Sequence, residues 1–154
     1  MSKNRLRLAL VVCAMAFAVA GSAQAQWWQH HPRYLHAMSD LRSAYWLVAH
    51  HESSDPVARP EERRAQDEIA RAYQHLRDAS IADNKDIRDQ PPANMNFFDH
   101  RGRMHHALDL LHEARRDVEG EEDDPAARGF RAGALRDIDK ATQAMELAIR
   151  AWMF

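Results

Sequence analysis

Apolar side chains recur every three to four positions over four stretches of this chain, the spacing of an amphipathic helix that buries one face. The first stretch predicts a helix from about Arg33 to Glu52, entered through Pro32, with Tyr34, Ala37, Met38, Leu41, Ala44, Tyr45 and Val48 facing inward. Glu52-Ser53-Ser54-Asp55-Pro56 ends it. The second spans about Pro60 to Asp83. Pro60 suits the first helical turn, Glu61 and Glu62 meet the positive end of the dipole, and Ile69, Ala72, Tyr73, Leu76 and Ala79 point inward. A connection from Asn84 to Phe98 follows, and with Pro91-Pro92 inside it suits either an ordered strap or a flexible linker. The third helix runs from about Arg101 to Glu119 with Met104, Ala107, Leu108, Leu111, Ala114 and Val118 inward, and Gly120 stands where a glycine cap belongs. The fourth starts at Asp124-Pro125, a capping residue followed by proline, and buries Leu135, Ile138, Ala141, Met145, Ala148, Ile149 and Trp152.

The second pair of helices echoes the first. A shift of 70 residues aligns Ala37, Met38, Leu41, Ala44 and Val48 with Ala107, Leu108, Leu111, Ala114 and Val118. A shift of 69 aligns Ile69, Ala72, Gln74, Leu76 and Ala79 with Ile138, Ala141, Gln143, Met145 and Ala148. The expected fold is therefore all-α: a four-helix bundle of two repeated antiparallel hairpins, residues 26–83 and 99–154, joined by segment 84–98. Composition agrees, because residues 26–154 contain only nine Val, Ile or Thr, the types on which strands lean. A chain of 154 residues allows one such domain.

The first 25 residues read as an address. Lys3, Arg5 and Arg7 form a basic start, Leu8 to Val19 an apolar run, and Ala23-Gln24-Ala25 a small-residue cleavage site, which together predict a secretory signal peptide cut after Ala25. The apolar run falls short of the roughly 20 residues of a membrane span. Val11 and Val12 before Cys13 do not suit a lipoprotein signal. The expected location is the periplasm or the medium. Residues 26–154 keep 18 basic and 23 acidic side chains, a net charge of −5, which argues against nucleic acid or an anionic membrane as partner. They contain no Cys, so stability must come from a core.

Several segments carry a resemblance. Tyr34-Leu35-His36-Ala37-Met38-Ser39-Asp40-Leu41-Arg42, Ala79-Ser80-Ile81-Ala82-Asp83-Asn84-Lys85, Pro91-Pro92 and Gly102-Arg103-Met104-His105 are similar to recurrent segments of a family of small exported bacterial helical proteins with no established activity. The resemblance implies an exported helical protein and contributes no catalytic residue.

Ten histidines are the compositional oddity, and all lie beyond the expected cleavage site. Imidazole is a common ligand for copper, zinc and nickel, so metal binding is a natural expectation. In an antiparallel bundle the start of the first helix, the end of the second and the start of the third lie at the same end, which brings His36, His75 and His105 to similar heights. Asp40 and Asp109 lie one turn beyond His36 and His105. At about 100° per residue, however, His36 and His105 sit roughly 130° from their apolar stripes, which predicts solvent-facing rings and argues against an interior site. A looser surface site remains, with His36, Asp40, His105, His106 and Asp109 as candidate ligands, and the pair His50 and His51 as another. Trp27-Trp28 reads as a packing or partner-seeking terminus. His30 would be fifth in the cleaved chain, where an amino-terminal copper site needs His third.

Other chemistry is excluded by pattern. No Glu has His three residues later, as a di-iron bundle requires, and Cys-x-x-Cys-His, Gly-x-Ser-x-Gly, His-Glu-x-x-His and Gly-rich phosphate loops are missing. Inward Met38, Met104 and Met145 read as core filling rather than haem ligands. The acidic run Glu119 to Asp124 lacks the spacing of a calcium loop and reads as a solvated turn. The residues thus predict an exported, non-enzymatic bundle that binds a protein, peptide or envelope component through a flank or its aromatic N-terminus. A weak transition-metal binder is the alternative, and an enzyme with an unrecognised site the remote one.

Overall fold

A computed structural model describes residues 33–50, 59–88, 90, 93, 99–120 and 125–152. They form four helices: α1 Arg33–Ala49, α2 Pro60–Ala82, α3 His100–Glu119 and α4 Arg128–Ala151. Among the described residues there is no strand. The expected signal peptide and its cleavage site, Trp27-Trp28, His51 and the run Glu121 to Asp124 lie outside the described residues. No described helix is long and apolar enough to cross a membrane.

Local chemistry sets the helix ends. Pro60 opens α2, and the Asp99 side chain accepts the Gly102 N–H at 2.6 Å, so α3 starts one residue before the apolar pattern suggests. α2 closes with Asn84 in the left-handed region at φ 55°, where its Lys85 neighbour donates N–H to the Ser80 carbonyl at 2.8 Å and Asn84 donates to Ile81 at 3.1 Å. Gly120 does cap α3, but for a different reason from the expected one. Its φ is −84°, and a Cβ there would collide with Nη1 of Arg33, which donates to the Gly120 carbonyl. α4 begins later than expected, at Arg128, because Pro125 to Ala127 form a turn with Ala127 buried.

Each helix has two neighbours: α1 packs on α2 and α3, and α4 packs on α2 and α3. All four pairs run antiparallel. At one end Lys85 sits over the Tyr34 ring, Arg33 meets Gly120, and Arg131 donates to the Val118 and Glu119 carbonyls. At the other Gln66 donates to the Val48 carbonyl, Arg59 donates to the Ala151 carbonyl, and Glu62 meets both Trp152 and His100. The order is up, down, down, up. The connection after α2 therefore travels the length of the bundle, about 34 Å for the 23 residues of α2, and α3 starts at the end opposite the start of α1. Gln90 shows the path: it bonds Arg42 and Tyr73, partway up α1 and α2.

The core confirms the internal repeat. Leu41 and Leu111, Ala44 and Ala114, Val48 and Val118, Ile69 and Ile138, Ala72 and Ala141, Leu76 and Met145, and Ala79 and Ala148 are buried at equivalent positions. Tyr45 departs from its expected inward place and is 43% exposed. α1 also buries Leu35, His36, Ser39 and Ser43, away from its expected stripe.

Candidate functional site

The seam between α1 and α2 opens as a groove of about 230 Å³. Leu41 and Ile69 form its floor; Arg42, Tyr45, Ala70 and Tyr73 form its walls, with Gln74 at the rim. Helical spacing places Leu41 and Tyr45 one turn apart on α1, and Ile69 and Tyr73 one turn apart on α2. Gln90 bonds both walls. Its amide oxygen accepts from Arg42 Nη1 at 3.2 Å, and its Nε2 donates to the Tyr73 hydroxyl at 3.4 Å. Among the described residues Arg42 is the one charged group of the lining.

The matching seam between α3 and α4 is built differently on the same floor. Leu111 and Ile138 replace Leu41 and Ile69. Where α1 and α2 carry Tyr45 and Ala70, α3 and α4 carry Arg115 and Asp139, whose side chains pair at 2.6 Å. Glu119 also binds Arg115. These two carboxylates stabilise the cationic form and hold Arg115 above the ordinary guanidinium range.

Other charges join helices. On the α2–α4 seam Glu68 and Arg71 pair at 2.6 Å and Asp137 and Lys140 at 3.1 Å, and the shift of 69 residues makes these the same pair twice. Lys140 links the two, 3.9 Å from Glu68. His75 reaches Asp137 at 3.4 Å, its ring over Gly133, where a Cβ would come within 2.9 Å. The fully buried Glu62 accepts the Trp152 Nε1–H at 2.9 Å and lies 3.6 Å from His100 Nε2. Arg59 covers the Trp152 ring at 4.2 Å. The sequence marks Glu62 as a partner of the helix dipole and does not by itself show its burial. Its place seven residues before Ile69, on the inward stripe, was the available signal.

The candidate metal ligands are dispersed. His36 and His105 occupy opposite ends of the bundle, since α3 runs against α1, and His75 turns to α4, on the diagonal from α1. His105 is exposed as expected, lining a hollow with Glu146 and Arg150. His36 is not: it is 5% exposed, enclosed with the rest of a charge-poor helix. The shift of 70 residues equates His36 with His106, and His106 is half-buried too. His106 and Asp109 line a third hollow with His112, Glu113 and Arg116. Asp40 stands where the second hairpin has the buried Leu110. Desolvation there raises its pKa to about 7, with Glu113 and Asp117 adding repulsion and Arg116 opposing. Among the described residues no three His, Asp or Glu side chains gather to hold a metal ion.

Compared with protein-family models, curated proteins and solved structures, the chain matches none.

Proposed function

We propose that this chain is an exported, non-enzymatic helical bundle that binds a segment of an envelope or secreted protein through the α1–α2 groove. The observation that carries the reading is the groove itself, an exposed aromatic opening at a seam that the other hairpin bridges with an ion pair. A wet ion pair and an exposed Tyr differ in what they offer a partner: Tyr supplies large, stiff contact area at little entropic cost. Export rests on the basic start, apolar run and Ala23-Gln24-Ala25 site, and on the resemblance to small exported helical proteins.

Two measurements test the reading. Intact mass of the tagged full chain recovered from periplasm and medium should correspond to a product beginning at Gln26; retention in the cytoplasm at full mass contradicts export. A photo-crosslinking residue replacing Ala70 should give a discrete adduct in cells, whereas the same residue replacing Asp139 should give none. Equal labelling from both positions contradicts the groove as the binding surface.

A further inference from the structure

The repeat gives the bundle a two-fold design. α1 lies antiparallel on its own counterpart α3, and α2 on α4, so a half-turn about one axis across the bundle carries each hairpin onto the other. Near that axis Glu68 and Arg71 match Asp137 and Lys140. Lys140 reaches over to Glu68 at 3.9 Å, and Arg71, held above the ordinary guanidinium range by its bond to Glu68, is held there by Asp137 as well. Each hairpin meets the other as one half of a symmetric dimer meets its mate, with the same patch used on both sides.

Two contacts break the match and make the pairing selective. The His75 ring lies over Gly133, where a Cβ would come within 2.9 Å, and the counterpart of Gly133 is Arg64. Buried Glu62 accepts the Trp152 Nε1–H, and the counterpart of Trp152 is Asp83. Two copies of the first hairpin brought together would set His75 against Arg64 and Glu62 beside a second acid, so the first hairpin selects the second. The connection bears on whose second hairpin is taken. Its length is about 17 residues, Asp83 to Asp99, and it crosses about 34 Å from one end of the bundle to the other. A flexible chain of that length relaxes to roughly 21–25 Å, so closing a hairpin onto its neighbour in the same chain stretches the tether. Pro91-Pro92 stiffens it just beyond Gln90, which is bonded to Arg42 and Tyr73 of the first hairpin. A stretched, stiff tether lowers the effective concentration of the chain's own second hairpin, and the same face on another copy then competes for the place.

We infer that this chain exchanges hairpins with a second copy of itself, α1 and α2 of each copy closing on α3 and α4 of the other, to give a dimer of two bundles. Every packing contact between hairpins is kept in the exchange. It is independent of the α1–α2 groove, whose walls stay within one hairpin.

His75→Cys with Gly133→Cys puts a thiol on each side of a contact that only unlike hairpins make, and Cys13→Ser leaves no other thiol in the chain. The protein is unfolded in guanidinium, refolded at about 1 mM, near the effective concentration of a short tether, or at about 10 μM, and then oxidised. A non-reducing gel should show mostly covalent dimer from the first sample and mostly monomer from the second. Deleting Asn94, Met95 and Asn96 tightens the tether and should raise the dimer fraction of the dilute sample roughly fivefold or more, while a Gly-Ser insertion at the same place should lower that of the concentrated one. Light scattering of the unsubstituted protein, refolded in the same way, keeps the test open if the thiol pair impairs folding. A species of twice the chain mass should form at the higher concentration and persist on dilution, because it separates only by unfolding. Disulfides confined to single chains with no doubled mass, a doubled mass in which the thiols do not join chains, or a dimer fraction indifferent to the length of the connection overturns the exchange.

Discussion

The two hairpins bury the same floor and finish it with different walls. Leu41 over Ile69 and Leu111 over Ile138 are equivalent pairs, each almost fully enclosed. Above them one hairpin closes its seam with Arg115 and Asp139, and the other leaves Tyr45 and Ala70 around an open groove. Positions that close the core are held to a shape by packing, while those at the rim are free to take up a partner. Where a repeat keeps its core and changes its rim, the halves share their packing and differ in the surface they offer.

The largest expected effect tests whether the floors are alike. Leu41→Ala and Leu111→Ala should each cost about 2–5 kcal/mol in urea unfolding, with similar values, because each opens a cavity at an equivalent place. A large loss in one hairpin and a small one in the other would show that the repeat does not extend to packing energy.

Next in size is Asp40, where the halves differ inside the bundle rather than at its rim. Its folded pKa of about 7 lies above the ordinary value of 3.8, so the folded state holds the proton more tightly. The contribution of the protonated form is complete below about pH 4, declines as pH rises towards 7, and is gone above it. Asp40→Asn should therefore flatten this decline and raise stability at pH 8 by on the order of 2 kcal/mol, and Asp40→Leu, the residue type of the matching site, should do the same. Melting curves at pH 5 and pH 8 decide it; a variant as pH-sensitive as the parent would place the titration elsewhere.

The rims themselves should matter little to stability. Asp139→Ala removes a half-exposed ion pair and should cost less than about 1 kcal/mol, less still in 1 M salt. Tyr45→Arg with Ala70→Asp should change the melting temperature by no more than a few degrees, yet abolish peptide binding. Stability and binding thus separate at the same two positions.

Much of this was legible in the residues. The 3.6-residue period located all four helices, and the shifts of 70 and 69 paired them, because buried positions of an amphipathic helix must repeat on one face. The expected direction of α3 is overturned: its start lies beside Glu62 and its end beside Arg33, opposite to an up-down-up-down bundle, because a connection as long as Asn84 to Phe98 can climb the bundle as well as turn back at one end. Stripe geometry puts the ring of His36 in solvent because it treats the far side of a helix as exposed, and the structure buries it. α1 carries only Arg33, Asp40 and Arg42 as Asp, Glu, Lys or Arg over Arg33–Ala49, a composition that lets it be enclosed beyond its stripe. The spacing of Tyr45 predicts a core position, yet its counterpart under the shift is Arg115, a residue that belongs at a surface. The substitution of Tyr45 for Arg115 and Ala70 for Asp139 was visible in the aligned halves; what it meant needed the ion pair.

The most direct measurement is a graft. His112→Arg, Arg115→Tyr, Asp139→Ala and Thr142→Tyr together give the second hairpin the walls of the first on a floor it already has. Calorimetric titration with a groove-dependent peptide should show one binding site in the parent protein and two in the graft. A graft that folds with an unchanged melting curve and still binds a single peptide would contradict the account.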